Sequence, residues 1–225
     1  TSASIWNAET GKEIRVLNEH QGQVVSASFS PDGKRIATGS YDNTARLWDA
    51  ESGDEVAVLR GHTNWPLAVS FSPDGGRLVT GSHDNTARLW DAAHGSEIAV
   101  LRGHTGAVLS AVFSADGKRV VSSSEDSTAR VWDAATGNEI AVLAGHTSSV
   151  LAASFCPKNG TRVLTGSEDN SAKIWDVESG AVQVNLNGHL AGVLAATFSS
   201  DGCRVITGSY DNSARLWSAE TGTED

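Results

Sequence analysis

Five times along the chain a histidine, a hydroxyl residue, an aspartate and a tryptophan recur at fixed offsets. The sets are His20, Thr38, Asp42, Trp48; His62, Thr80, Asp84, Trp90; His104, Ser122, Asp126, Trp132; His146, Thr165, Asp169, Trp175; and His189, Thr207, Asp211, Trp217. A hydroxyl, an imidazole and a carboxylate are the parts of a nucleophilic triad, so acyl transfer is the first chemistry to weigh. Repetition argues against it, because an active site is built once and this set is built five times. A structural role suits the groups better: a buried indole N–H needs an acceptor, and a hydroxyl supplies one while bonding elsewhere. Breaking such a set leaves buried groups unsatisfied, at about 1–3 kcal/mol each. A metal site is no better supported. Five of the seven histidines stand 42 or 43 residues apart, and the other two, His83 and His94, have no partner at zinc-ligand spacing. The glycines are turn residues at repeated positions, with no phosphate-cradling loop among them. No catalytic residue, cofactor or metal is expected.

What must position these residues is a repeat. Trp6, Trp48, Trp90, Trp132, Trp175 and Trp217 are spaced 42, 42, 42, 43 and 42 residues apart, and the extra residue falls in the turn Cys156-Pro157-Lys158-Asn159-Gly160. The unit beginning at His62 shows the plan. Leu67–Phe71 is an apolar run of strand length, and Ser72-Pro73-Asp74-Gly75 a tight turn in which Pro presets φ and Gly is free to take positive φ. Arg77–Thr80 is a second strand, Gly81–Asn85 a turn, Thr86–Trp90 a third strand, and Ile98–Leu101 a fourth after the His94-Gly95 turn. Four short strands between turn signals make an antiparallel meander, and no stretch has the length or period of a helix. The strands are apolar or small on both faces, so each sheet must be covered by a neighbour on either side. The predicted fold is all-β, a β-propeller of four-stranded blades in a single domain over 1–225. Its units run approximately 20–61, 62–103, 104–145, 146–188 and 189–225, after a partial unit at 1–19.

The pattern resembles the WD-repeat family. Gly61-His62, Gly103-His104, Gly145-His146 and Gly188-His189 match that family's Gly-His pair, with Glu19-His20 a variant. Trp48-Asp49, Trp90-Asp91, Trp132-Asp133 and Trp175-Asp176 match the pair that names it, whereas Trp217-Ser218 and Trp6-Asn7 depart from it. The resemblance implies that each His, hydroxyl, Asp and Trp set forms a hydrogen-bonded tetrad running from Asp to His to hydroxyl to indole. It also implies a non-catalytic scaffold that binds protein partners on one face of the disc.

If the shared residues are scaffold, function lies where the units differ. Immediately before the tetrad Asp stand Tyr41, His83, Glu125, Glu168 and Tyr210. Three residues after the tetrad His stand Gln23, Trp65, Ala107, Ser149 and Gly192. In the resembled family both columns open on the same face, around the channel. Trp65 is the one Trp outside the repeat register, in Asn64-Trp65-Pro66 where other units carry small or polar residues. An aromatic in a polar loop is the kind of residue that anchors partners, and the alternative is that it folds over Pro66 to fill a gap. The expected partner-binding set is Trp65, Tyr41, Tyr210, His83, Gln23, Glu125 and Glu168. Tyr41 and Tyr210 would meet only if the ring closes.

Net charge is −10 and the pI about 5.1. That balance disfavours nucleic acid and anionic membranes as partners and makes a basic protein or peptide the easier one to bind. Cys156 and Cys203 are too few for a disulfide framework and read as free thiols, which with the absence of a signal peptide or membrane-length apolar run suggests an intracellular, cytoplasmic or nuclear setting. The sequon Asn159-Gly160-Thr161 reads as a glycine turn. The chain starts at Thr1, has no Met, and opens on a strand at Ile5-Trp6 that lacks the first half of its unit. The expectation is therefore part of a larger ring or longer chain, able to oligomerise through open ends. The alternative is a five-bladed ring in which the strand around Ile14 completes the last sheet. Two other functions stay open: a sensor or autoinhibitory domain of a larger ATPase, kinase or protease, and a propeller enzyme using His83.

Overall fold

The computed structural model describes residues 1–158 and 160–224, and these form strands, turns and loops without a helix. Six antiparallel sheets follow one another along the chain. The first is a hairpin of β1 (Ala3–Trp6) and β2 (Glu13–Leu17). Four meanders of four strands come next. They are β3 (Val24–Phe29), β4 (Arg35–Ser40), β5 (Ala45–Asp49) and β6 (Glu55–Leu59); then β7 (Pro66–Phe71), β8 (Arg77–Ser82), β9 (Ala87–Asp91) and β10 (Glu97–Leu101). The third meander holds β11 (Val108–Phe113), β12 (Arg119–Ser124), β13 (Thr128–Asp133) and β14 (Glu139–Ala144). The fourth holds β15 (Val150–Phe155), β16 (Arg162–Ser167), β17 (Ser171–Asp176) and β18 (Val182–Asn187). The last sheet has three strands, β19 (Val193–Phe198), β20 (Arg204–Ser209) and β21 (Ala214–Ser218). A single bridge from Trp217 to Glu224 begins a fourth beside β21.

These are propeller blades, and the ring they trace is not closed. The first strands β3, β7, β11, β15 and β19 touch in succession, so the sheets fan out from a common inner edge. Between sheets the same packing is repeated. Ile5 and Leu17 of the hairpin lie against Trp48; Leu47 and Leu59 against Trp90; Leu89 and Leu101 against Trp132. Val131 and Leu143 lie against Trp175, and Ile174 and Leu186 against Trp217. Each buried aliphatic or indole side chain in such a stack contributes about 1.5–3 kcal/mol through removal from water. Arginines at the start of second strands fasten neighbouring sheets. Arg77 donates to the carbonyls of Ala134 (2.6 Å) and Gly117 (2.8 Å) in the next sheet, and Arg162 to those of Ala219 (3.1 Å) and Gly202 (3.0 Å).

Two differences from the sequence reading matter. The second strands run on through the Gly-Ser pair assigned to the turn, as in β8, whose Gly81 pairs with Ala87 of β9. The missing side chain at Gly81 lets the next sheet in, since a Cβ there would lie 2.8 Å from Val108 Cγ1. The strand around Ile14 pairs with β1 and does not complete the last sheet, because the short turn after Trp6 folds it back first. Cys156 and Cys203 are free thiols, the first buried and the second exposed. Asn159 of the sequon lies outside the described residues.

Candidate functional site

Two layers lie close together at one end of the sheets. The lower layer is the five-fold set of His, hydroxyl, Asp and Trp. In every set the His Nδ1 is 2.8 Å from an oxygen of its Asp. The His Nε2 is 2.7–2.8 Å from the hydroxyl of Thr38, Thr80, Ser122, Thr165 or Thr207. The Trp ring N–H donates to that same oxygen at 2.8–2.9 Å. One proton arrangement satisfies every atom: the indole donates to the hydroxyl oxygen, the hydroxyl donates to Nε2, and Nδ1–H donates to the carboxylate.

Electrostatics favour that arrangement. Burial lowers the pKa of His20, His104 and His146 below the ordinary 6.5 despite the pull of Asp42, Asp126 and Asp169, so these rings stay neutral at pH 7. Burial alone would raise Asp42, but Thr44, His20 and the N–H of Gln21 outweigh it and hold the carboxyl at about 2. Asp126 and Asp169 lie at about 2 for the same reasons. Each of these Asp residues ties two loops together, accepting from the N–H following the tetrad His and from the Thr or Ser two residues beyond itself, as Asp126 does from Thr105 (3.0 Å) and Thr128 (2.6 Å).

The upper layer is the pair of variable columns, which one backbone hydrogen bond per blade holds side by side. Tyr41 donates to Gln23 (2.9 Å), His83 to Trp65 (2.9 Å), Glu125 to Ala107 (3.0 Å), Glu168 to Ser149 (3.0 Å) and Tyr210 to Gly192 (2.9 Å). The turn carrying the first column needs positive φ just after the tetrad Asp, at Asn43, Asn85, Ser127, Asn170 and Asn212. Asn, which fills four of those five places, is among the few side chains that take that conformation readily.

Trp65 reaches across to the preceding blade and stacks on Tyr41, with centroids 4.3 Å apart and planes at 28°. His83 meets it edge-on at 5.6 Å and holds its Nδ1 3.3 Å from the Asn64 amide nitrogen. Tyr41 and Trp65 each keep 39% of their surface exposed, and His83 is exposed too. Further round the arc the columns are acidic, with exposed Glu125 and Glu168, and Ser148 donates to Glu168 at 3.3 Å. Where the last blade has Gly192, a Cβ would lie 3.1 Å from Cα of Glu168. Gln23 and Tyr210 are exposed at the two ends of the arc, and with the ring open Tyr210 is not drawn to Tyr41.

One residue of this face was not singled out by the column comparison. Leu190 is 84% exposed and directly follows a tetrad His, where the other blades have Gln21, Thr63, Thr105 and Thr147. Its N–H is fixed to Asp211 at 2.9 Å like its counterparts, so its backbone is held while its side chain projects into solvent. Reading one column nearer the His would have found it. Among the described residues no three His, Cys, Asp or Glu side chains gather as a metal site.

Radial four-stranded sheets with a Trp-anchored polar set in each define a repeat propeller used as a scaffold. The family model described as WD domain, G-beta repeat matches residues 11–49, 53–91, 95–133, 137–176 and 180–218, and the chain belongs to that WD40 family. Domains of this family are in general non-catalytic platforms for protein partners. The chain is also similar to the Periodic tryptophan protein 2 homolog of Neurospora crassa, with 43% identity over 42 residues. That match spans 19% of this chain and 5% of the other protein, about the length of one repeat.

Proposed function

We propose that the loop face docks a protein or peptide bearing cationic side chains, with Trp65 as its anchor. The observation that carries this is the exposed stack of Tyr41 and Trp65 on a face whose backbone is fixed by the layer beneath. Charge supports the choice of partner. The loops 20–23, 41–43, 62–65, 83–85, 104–107, 125–127, 146–149, 168–170, 189–192 and 210–212 hold no Lys or Arg, and above the five tetrad aspartates they carry the exposed carboxylates of Glu125 and Glu168. An arginine laid on an exposed aromatic gains about 0.5–1 kcal/mol, and more where the contact is desolvated. Catalysis by the repeated sets is disfavoured by access, because their hydroxyl residues are at most 1% exposed. His83 is accessible, but its polar neighbour is the amide of Asn64 and not the carboxylate that orients the histidine of a catalytic triad.

The test is calorimetric titration of the chain and of Trp65→Ala with an acetylated peptide of alternating Arg and Ala, beside one of alternating Glu and Ala. Binding of the Arg peptide that weakens in the variant is the expected result. Equal affinity in wild type and variant would retire this surface.

A further inference from the structure

On the reading that Trp65 anchors a cationic segment, we propose that this segment also carries an aliphatic side chain two residues from its arginine, seated by Leu67 and Leu109 at the inner edge of the sheets. The seat starts from an irregularity of the backbone. In every blade the first strand skips one residue in its pairing with the second, at Val25, Leu67, Leu109, Leu151 and Leu194. Leu67, for instance, falls between Pro66, opposite Ser82, and Ala68, opposite Gly81. Such a bulge leaves its extra residue out of the ladder and re-aims the side chain.

All five bulged residues are aliphatic, yet none is among the described residues that pack sheet against sheet. Their strand neighbours do that packing: Val69 and Phe71 in β7, Val108 and Ala111 in β11, Val150 and Ala153 in β15. Leu67, Leu109 and Leu151 are half-buried, and each lies in a blade with a neighbouring sheet on either side. The strands that carry them are innermost in their sheets, so the solvent they meet is that of the inner edge.

The same strands rise into the upper layer. Trp65 is exposed, Pro66 after it is buried, and Leu67 is half-buried. That alternation puts Trp65 and Leu67 on one side of the strand, at most about 7 Å apart along the chain. Residues i and i+2 of an extended ligand share a side and have the same separation. An arginine laid on Trp65 therefore brings the residue two along over Leu67, with Leu109 on the adjoining strand. Charge selects the first residue, through the exposed Glu125 and Glu168 of the same face. The leucines select the second, since a polar side chain there would give up water without gaining a partner.

Calorimetric titration with two acetylated peptides tests this, Ala-Arg-Ala-Leu-Ala-Arg-Ala and Ala-Arg-Ala-Ala-Ala-Arg-Ala. Arginine on both sides of the centre offers the pair in either chain direction. The wild-type chain is expected to bind the leucine peptide about tenfold more tightly, from partial burial of one leucine side chain. Leu67→Thr and Leu109→Thr are each expected to cut that ratio to about threefold or less and to leave the affinity for the alanine peptide unchanged. Both affinities are measured on one sample, so the ratio holds even where a variant is partly unfolded. Trp65→Ala is expected to weaken both peptides. Equal affinity of wild type for the two peptides, with both weakened in Trp65→Ala, overturns the aliphatic seat and leaves the docking of a cationic segment standing. A ratio undiminished in the two leucine variants also overturns the seat. Binding of neither peptide removes the seat and the docking together.

Discussion

His83 and Asp84 are neighbours in the chain and belong to opposite regimes. Asp84 repeats in all five blades, is largely hidden, and accepts from His62 and from Thr63 and Thr86. His83 is replaced by Tyr, Glu, Glu and Tyr in the other blades and faces solvent. The difference lies in what each atom must satisfy. The tetrad closes a hydrogen-bond chain around a buried indole, so every member is specified; the upper layer is held through its backbone, and its exposed side chains, unlike the buried Ala107 and the crowded Gly192, are free to vary. Stability and recognition are thereby assigned to adjacent residues without competing for the same atoms.

The sharpest way to break that division is acid, which acts on all the tetrads at once. Below pH 6.5 unfolded histidines take up protons that the buried, neutral His20, His104 and His146 resist, so stability begins to fall. Below about pH 4 the carboxyls add to this, because Asp42, Asp126 and Asp169 titrate at about 2 in the fold against an ordinary 3.8. The melting midpoint should therefore be highest above pH 6.5, decline gently at first, and drop most steeply between about pH 4 and 2. A midpoint independent of pH across that span would remove the tetrads from the account of stability.

Next in size is a single tetrad. Asp126→Ala leaves His104 and two loop N–H groups without their acceptor, at a cost of about 1–3 kcal/mol for each that stays buried. The midpoint should fall by on the order of 5–10 °C, since about 2–4 °C is lost per kcal/mol in a chain of this size. Trp65→Ala is the contrasting change. It should move the melt by about 1 kcal/mol or less, the value of an aromatic pair, while weakening the Arg-peptide complex by about 2 kcal/mol. A variant that melts far lower would mean that the upper layer is scaffold after all. The smallest effect belongs to Glu168→Gln, an exposed carboxylate. It should weaken the peptide by well under 1 kcal/mol and flatten the dependence of affinity on salt, with no change in the melt.

Much of the fold and all the tetrad members were legible in the residues, for a local reason. Strand and turn lengths repeat, so a fixed offset such as His62 to Asp84 becomes a fixed position in space. The stack of Trp65 on Tyr41 was not legible, because it depends on how far one blade is rotated against the next, and no pattern within a unit encodes that angle. Leu190 stands in another column, directly after the tetrad His, where its departure from Gln21, Thr63, Thr105 and Thr147 was legible but its 84% exposure was not. The open ends were anticipated from the half unit at Ile5-Trp6, whereas the folding back of β2 onto β1 follows from turn geometry at Asn7 to Lys12.

The five hydrogen bonds between the columns, each 2.9–3.0 Å, involve only main-chain atoms. They hold whether the side chains are Tyr and Gln, His and Trp, or Glu and Ala. Apart from the buried Ala107 and the crowded Gly192, the face is therefore a grid of eight addresses whose contents can be rewritten independently of the frame, and a library varied at those eight positions would sample new ligands while most members still fold.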